Sequence, residues 1–190
     1  MSTGMDKLVN NILRDVKVEL SDEFDRNFSR QGFFGSKWAR RKSPSARADR
    51  GILVDTGALR RSISSRISGN TITFYSDLPY AAIHNDGGEI RVTARMRRFF
   101  WAKYYEARGS FGYRKNGLRR QDKRNAQLTA EAAFWKALAL KKVGDVIRIP
   151  QRQFLGTHPK LEQAVREIIE ENVEQALGGL AQGISLGIRD

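Results

Sequence analysis

The chain has 190 residues, a formal net charge of +13 and a pI near 10.4, and 40% of its residues are hydrophobic. This length fits one domain with a sizeable insertion. The absence of cysteine excludes disulfides, thiolate metal sites and cysteine nucleophiles. The sequence contains no apolar run long enough to cross a membrane and no apolar signal core near its N-terminus. We therefore expect a protein that folds in the cytoplasm and has no membrane partner.

The positive charge is concentrated in two segments. Residues 30–66 carry 10 basic and 2 acidic side chains, and residues 91–124 carry 12 and 2. Residues 161–190 are acidic instead, with 2 basic and 6 acidic side chains. This division favours two separate contact surfaces over a uniformly basic DNA-binding protein.

The first third of the chain predicts a helix followed by a loop. Residues 5–29 predict one amphipathic helix, because apolar side chains recur about every four residues from Leu8 to Phe28. Residues 35–50 are rich in serine, arginine and lysine and predict an exposed, mobile loop. Trp38 in this loop either anchors it on the core or contacts a partner.

A short helix and a hairpin follow. Asp55 or Thr56 is placed to accept a hydrogen bond from the free amides of a helix start at Gly57–Arg60. Polar and apolar residues then alternate over 62–67 and again over 71–76, on either side of a Ser-Gly-Asn turn. These two segments predict a β-hairpin.

The second half alternates short strands with helices around a compositionally distinct region. Residues 94–146 mix cations with aromatics and include a predicted flexible loop at 108–125. The other predicted elements are an apolar segment at Tyr80–Asn85, strands at Glu89–Thr93 and Val146–Ile149, and helices at Ala126–Lys142 and 159–177. Apolar residues in the tail, Gly178–Asp190, indicate that it docks on a surface.

The predicted fold class is α+β. A small, mostly antiparallel sheet comes from segments near 62–67, 71–76, 89–93 and 146–150, and the N-terminal and C-terminal helices pack on one of its faces. The chain is predicted to be a single domain over residues 1–190, with a basic helical and loop insertion at about 95–146.

Four separated motifs carry a resemblance to a known family. They are FFGSKW at Phe33–Trp38, LVDTGALRRSI at Leu53–Ile63, YAAIHNDGG at Tyr80–Gly88 and IPQRQFLG at Ile149–Gly156. In this order they resemble the virion morphogenesis, or tail completion, proteins of Mu-like tailed phages. The family commonly has a large residue in place of Asp86 and a proline in place of Gln153, so the closing turn is less rigid here.

The resemblance implies an α+β structural protein at the head-proximal end of the tail or at the neck. There it completes or caps the tail so that head and tail can join, without enzymatic activity and without a cofactor. The motif positions expected to matter for structure or assembly are Trp38, Asp55, Thr56, Gly57, Leu59, Ser62, Tyr80, His84, Gly87, Gly88, Pro150, Phe154, Leu155 and Gly156. We expect the four glycines to serve backbone turns, and Tyr80 and Phe154 to pack in the core.

Enzymatic alternatives rest on His84. His84, Asn85 and Asp86 can be taken for part of a nuclease site, or His84 for a metal ligand shared with His158, but no carboxylate-rich cluster accompanies the two histidines. No nucleophile-elbow pattern surrounds any serine, so a hydrolase built on Asp55, Ser62 and His84 lacks its motif. His84 is expected to be a hydrogen-bonded structural residue, with a ligand or acid–base role as the lesser alternative.

The basic residues leave three interpretations open. Those chosen as candidate contacts are Arg40, Arg41, Lys42, Arg97, Arg98, Arg119 and Arg120. They form a solvated face, bind an acidic protein neighbour, or touch packaged DNA. The aromatic residues of Phe99–Trp101 stand among cations, as in single-strand binders, although no named nucleic-acid motif is present.

The partners follow from the resemblance together with the charge division. We expect a head-to-tail ring of copies of this chain, a hexamer by analogy with tail symmetry. One rim meets the tail tube or sheath protein and the other meets the head–neck connector, in the tail–neck region of a virion assembled in the host cytoplasm. The basic loops at 36–50 and 106–124 are expected to order on docking. The alternative is a basic nucleic-acid-binding protein that acts in DNA packaging or passage.

Overall fold

A computed structural model of the chain describes residues 4–44 and 50–183. In chain order the elements are α1 (Gly4–Arg30), β1 (Gly32–Phe33), β2 (Ser36–Lys37), α2 (Ala58–Arg61), β3 (Ile63–Ser68), β4 (Thr71–Ser76), α3 (Ala81–Asp86), β5 (Gly88–Arg91), α4 (Ala94–Gly109), α5 (Lys123–Ala139), β6 (Val146–Ile149) and α6 (Pro159–Gly183).

The described residues form two compact units, each made of several chain segments. Unit 1 comprises the described residues of Met1–Lys37, Ala58–Leu78 and Gln153–Asp190. Unit 2 comprises those of Trp38–Gly57 and Pro79–Arg152. The earlier prediction of one domain with an insertion stays a prediction.

The core of unit 1 forms where α1 packs on the β3–β4 hairpin and on α6. Val16, Phe24 and Phe28 lie on one face of α1 at four-residue multiples and are buried. The Phe24 ring meets the Phe74 ring of β4 edge to face, with centroids 5.0 Å apart. Phe24 also shares a buried cluster with Phe33 and Leu161, packed by Leu20, Phe34, Phe74 and Leu155.

Helices α1 and α6 run antiparallel. Phe24 and Leu161 belong to the same buried cluster, and Asn172 Nδ2 donates to Asp15 Oδ2 at 2.9 Å. Contacts therefore move toward the C-terminus of α6 as they move toward the N-terminus of α1. Among the described side chains of the acidic helix α6, Leu161 is the one that is buried, and the rest of the apolar stripe is only partly covered.

Unit 2 pairs β5 with β6 and places a helical hairpin between them. The antiparallel register runs from Gly88 opposite Ile149 to Arg91 opposite Val146. Helices α4 and α5 begin at side-chain caps: Thr93 accepts from the Met96 amide at 3.1 Å and Asp122 from the Asn125 amide at 2.8 Å.

The α4–α5 hairpin leaves and rejoins the β5–β6 ladder at one place. The Val92 amide donates to the Asp145 carbonyl at 2.8 Å, and the Gly144 amide donates to the Val92 carbonyl at 2.9 Å. Val92 is 1% exposed. Residues 93–143 are therefore a long excursion whose two ends are hydrogen-bonded neighbours.

The predicted α+β class is confirmed, and the four predicted strands are present with antiparallel pairing. The prediction that they share one sheet is wrong, because β3–β4 and β5–β6 are separate two-stranded sheets and β1–β2 is a third. Each strand pairs with the strand that the connecting turn or helical hairpin brings alongside it.

Several element boundaries also differ from prediction. Tyr80–Asn85 was predicted only as an apolar segment, yet α3 forms there, and α4 was not predicted as a helix. Helix α6 runs to Gly183 instead of ending at 177, and the rest of the tail, residues 184–190, lies outside the described residues, as do residues 45–49 of the predicted loop. Trp38 is 7% exposed, which favours its role as an anchor over a contact with a partner.

Candidate functional site

Arg152 in the closing motif bonds to two other segments of unit 2. The Arg152 amide donates to the His84 carbonyl at 2.8 Å. Its side chain is buried, with Nε donating to the Ala39 carbonyl at 3.0 Å and Nη2 to the Arg40 carbonyl at 3.4 Å. Burial, and then the charge of Arg41, lower the pKa of this guanidinium. Arg152 thus joins the segment after Trp38 to the central and closing motifs.

His84 is partly buried at this junction. Its ring meets the Tyr80 ring edge to face at 6.1 Å, and its Nδ1 has no hydrogen-bond partner within the described part of the chain. Burial, and then the charge of Arg152, lower the pKa of His84. The burial of this ring fits a packing role, although the predicted hydrogen bond to the ring is absent among the described residues.

Gly87 and Gly88 bring the chain close to its neighbours. A Cβ on Gly87 would stand 2.8 Å from the Gln151 amide nitrogen, and one on Gly88 would stand 2.8 Å from Ile83 Cδ1. Gly87 also has φ +72°, which side chains rarely adopt. All four motif glycines, Gly57, Gly87, Gly88 and Gly156, have positive φ, although Gly88 begins strand β5 and does not lie in a turn.

The second motif makes a turn in unit 2 and a helix in unit 1. The Gly57 amide donates to the Val54 carbonyl, and Asp55 and Thr56 are exposed in that turn. Helix α2 starts one residue beyond the predicted Gly57 and buries Leu59. Which of the two side chains caps it stays a prediction.

Ser62 and Arg60 fasten α2 within unit 1. The Ser62 hydroxyl donates to the Leu59 carbonyl at 2.7 Å and lies 2.7 Å from the Ser76 hydroxyl of β4. Arg60 binds both carboxylate oxygens of Asp25 on α1. The Arg60 hydrogen bonds hold the pKa of Asp25 below its usual range.

The closing motif passes from unit 2 to unit 1 after Arg152. Phe154 is 1% exposed, and its ring lies 5.3 Å from that of Phe28. Its carbonyl accepts from Asn27 Nδ2 at 3.2 Å. The prediction that Phe154 packs in the core is confirmed. The matching prediction for Tyr80 is wrong, since its side chain is 41% exposed at the start of α3.

The two remaining motif positions are Leu155 and Pro150. Leu155 packs against the buried cluster of Phe24, Phe33 and Leu161 in unit 1. Pro150 directly follows β6 and is half-buried. Neither position presents a reactive group.

Most of the predicted basic contacts are occupied within unit 2. Arg41 donates to the Gly51 carbonyl, Arg97 to the Ala139 carbonyl at 3.3 Å, and Arg120 to the Tyr113 carbonyl at 3.2 Å. The Arg119 guanidinium lies 3.6 Å from the centroid of the Phe111 ring. The exposed cations among those predicted that have no side-chain hydrogen bond in the described part of the chain are Arg40, Lys42 and Arg98.

The predicted flexible loop at 108–125 is instead held in place. Asn125 is 2% exposed and its Nδ2 donates to the Gly112 and Arg120 carbonyls at 2.8 and 2.7 Å. Its Oδ1 accepts from the Gly112 amide at 2.8 Å. Tyr113 and Arg119 form a β-bridge within the loop. These bonds order the loop without a partner.

Sequence reasoning missed three residues that organise the units: Arg152, Asn125 and Asn27. Arg152 belongs to the closing motif, and its place between Pro150 and Phe154 is the sequence signal that could have indicated a structural role. Asn125 and Asn27 stand in helical patterns where an asparagine is ordinarily exposed. Both are buried, and Asn27 Oδ1 has no partner among the described residues.

No group of three or more histidine or carboxylate side chains in the described residues is arranged to hold a metal ion. None of the helices described here combines the length and apolar character needed to span a bilayer. Among the motif residues, Arg152 bonds to backbone carbonyls and Phe154 lies in the core of unit 1.

Comparison with known proteins identifies the family. Residues 5–174 match the model of the phage virion morphogenesis family. The chain belongs to this family, and the predicted membership is confirmed. The family points to a structural, virion-associated role. No curated protein and no solved structure matches the chain.

Proposed function

We propose that this protein completes the head-proximal end of a phage tail, or the neck, and thereby enables head and tail to join. The family match over residues 5–174 carries the proposal. The contacts of three motif residues support it. The Arg152 side chain, the Phe154 carbonyl and the Ser62 hydroxyl all form hydrogen bonds within the protein itself. A building block needs such shape-determining contacts more than it needs reactive groups.

The mechanism we propose is geometric. Copies associate head to tail into a closed ring, a hexamer by analogy with tail symmetry, and a heterologous contact of this kind closes only at one rotation angle. One rim binds the last ring of tail tube or sheath protein, and the other binds the head–neck connector. The separation of acidic and basic segments supports contacts between unlike surfaces.

Electron microscopy of a lysate from a phage or prophage lacking this gene tests the function. We expect filled heads beside unattached or over-long tails, and joined particles when the gene is supplied on a plasmid. Joined particles without the gene would contradict the proposal. Wild-type particles that contain the protein as a monomer would contradict the ring.

One observation favours a second candidate function, nucleic-acid binding during packaging or passage. Helix α4 exposes Arg95 and Arg98 beside Phe99 and Tyr105, a mixture of cations and aromatics that can bind phosphates and stack on bases. Gel shifts across a salt series test it: tight non-specific binding with a steep salt slope supports it. Empty heads alone in the gene-deletion lysate also favour it.

A further inference from the structure

One face of α4 presents cations and aromatics outward. Arg95, Arg98, Ala102 and Tyr105 follow one another at three- and four-residue spacing and are exposed, with Phe99 beside them. The Phe99 and Tyr105 side chains are 51% and 62% exposed. In the described part of the chain neither Arg95 nor Arg98 is paired with a carboxylate.

These exposed aromatics are held in position by their neighbours on the helix. The Tyr105 ring stacks on the Trp101 ring, with centroids 6.0 Å apart and an interplanar angle of 28°. Lys103 Nζ lies 6.0 Å from the centroid of the Phe99 ring. The face is therefore largely preorganised for contact, which lowers the entropy cost of binding.

One face of α6 presents the opposite charge. Glu167, Glu170 and Glu174 follow one another at three- and four-residue spacing, and Leu177 continues the row with 60% of its side chain exposed. Gln163 donates to Glu167 at 2.8 Å. Among the described residues no cation pairs with any of these three glutamates.

We propose that the outward face of α4 in one copy packs against the glutamate row of α6 in the next copy. The rows Arg95–Tyr105 and Glu167–Leu177 have the same span, about 15 Å at 1.5 Å per residue. Arg95 and Arg98 would pair with the glutamates, and Phe99 and Tyr105 would cover Leu177. The inference rests on the proposed ring and names its subunit contact.

A second copy fits these observations better than DNA does. Binding of α4 to phosphates leaves the unpaired glutamates of α6 without a role, and it leaves Leu177 exposed. A contact between copies neutralises both faces at once and buries apolar area on each side. The two faces differ, so the contact is heterologous and repeats from copy to copy.

Paired charge reversals test the contact in the full-length chain. Arg95→Glu/Arg98→Glu and Glu170→Lys/Glu174→Lys each place like charges together, and we expect each to weaken self-association roughly 100-fold. Arg114→Glu/Lys115→Glu is the matched control for the α4 reversal, because it makes the same charge change in exposed residues of the loop after α4. Sedimentation velocity measures assembly, and circular dichroism verifies that each variant is folded.

Mixing the two reversed variants gives the sharpest readout. Every contact in an alternating assembly then joins either two original faces or two reversed faces, so assembly should return on mixing although neither variant assembles alone. Two salt conditions, about 0.1 M and about 1 M, separate charge pairing from apolar contact, because the screening length falls from about 10 Å to about 3 Å.

The outcomes are distinct. Rescue on mixing supports the α4–α6 contact. Assemblies that form and ignore both reversals overturn it, and leave the proposed tail function in place. A wild-type chain that stays monomeric at high concentration in low salt overturns it as well. Loss of DNA binding in Arg95→Glu/Arg98→Glu but not in the other two variants, with assembly unchanged, assigns the α4 face to nucleic acid instead.

Discussion

Arg152 shows how this protein uses a charged residue for architecture. Its guanidinium is buried against the carbonyls of Ala39 and Arg40, and its amide binds the His84 carbonyl. Carbonyls left without a donor are costly, and the Arg152 side chain supplies a donor to two consecutive carbonyls. We therefore expect unit 2 to depend strongly on this side chain.

Replacing Arg152 tests that dependence. We expect Arg152→Met to lower the free energy of unfolding by about 2 kcal/mol, because two carbonyls lose their donor. Arg148→Met is the control: the Arg148 side chain is 83% exposed and pairs with Glu89, so its loss should cost less than about 1 kcal/mol. Urea denaturation measures both, and equal losses would contradict the role of Arg152.

Gly87 allows a similar test of close backbone approach. Gly87→Ala adds a Cβ 2.8 Å from the Gln151 nitrogen at φ +72°, whereas Gly117→Ala at φ +79° meets open space. We expect the second variant to lose about 1 kcal/mol from backbone strain and the first to lose clearly more. Thermal unfolding of the pair isolates the steric part, and similar melting temperatures would refute it.

His84 makes stability depend on pH. Burial, and then the Arg152 charge, hold the pKa of His84 below its usual 6.5, so the unfolded chain binds this proton more readily than the folded chain. Stability should fall as the pH drops from 6.5 toward the lower folded pKa, and this contribution is fully present above 6.5. Urea midpoints between pH 8 and pH 5 should fall less in His84→Asn than in the wild type.

The sequence predicted a structural role for the motif glycines and the burial of Phe154, but it did not predict the burial of Arg152. Glycine at a turn and phenylalanine in a core follow from the residue type alone. Burial of an arginine depends on which carbonyls the fold places around it, and that arrangement is set by residues more than 100 positions away. For the same reason, the prediction that Tyr80 packs in the core was wrong.

At the scale of elements, the α4–α5 hairpin depends on the buried side-chain amide of Asn125. Asn125→Ala removes the three bonds that tie Gly112 and Arg120 to α5. We expect trypsin to cut the variant within residues 110–122 at least tenfold faster than the wild type, since cleavage follows local opening. Asn116→Ala, at an exposed position of the same loop, is the control and should change the rate little.

Elements with a regular apolar stripe were predictable, and others were not. Helix α1 and strands β3, β4 and β6 appear within two residues of their predicted positions because their periodicity is undisturbed. Helix α4 was missed because Phe99 and Tyr105 occupy its outward face and obscure the period. Pairing of β5 with β6 joins residues 55 or more positions apart, which local pattern does not specify.

At the scale of the whole molecule, most of the net positive charge lies in one excursion of the chain. Residues 93–143 contain 14 of the 34 basic residues and 3 of the 21 acidic residues. This excursion starts and ends at the hydrogen-bonded neighbours Val92 and Gly144. A short turn should therefore be able to replace it.

Deleting the excursion tests whether it is an insertion. We expect a chain with residues 93–143 replaced by a four-residue Gly-Asn-rich turn to keep the helix and hairpin signals of unit 1 by NMR, because no residue of unit 1 is removed. It should lose self-association, since α4 is gone. Unfolding of unit 1 in this variant would show that the excursion belongs to a common core.

The neighbouring ends of the excursion also bear on how such a protein changes over generations. A segment that departs and returns at one hydrogen-bonded pair can lengthen, shorten or be exchanged by recombination without moving the strands on either side. We expect lineages of this protein to differ most in length between Val92 and Gly144. The basic hairpin would then be the part that adapts each lineage to its own neighbours, while Arg152 and the motifs around it stay fixed.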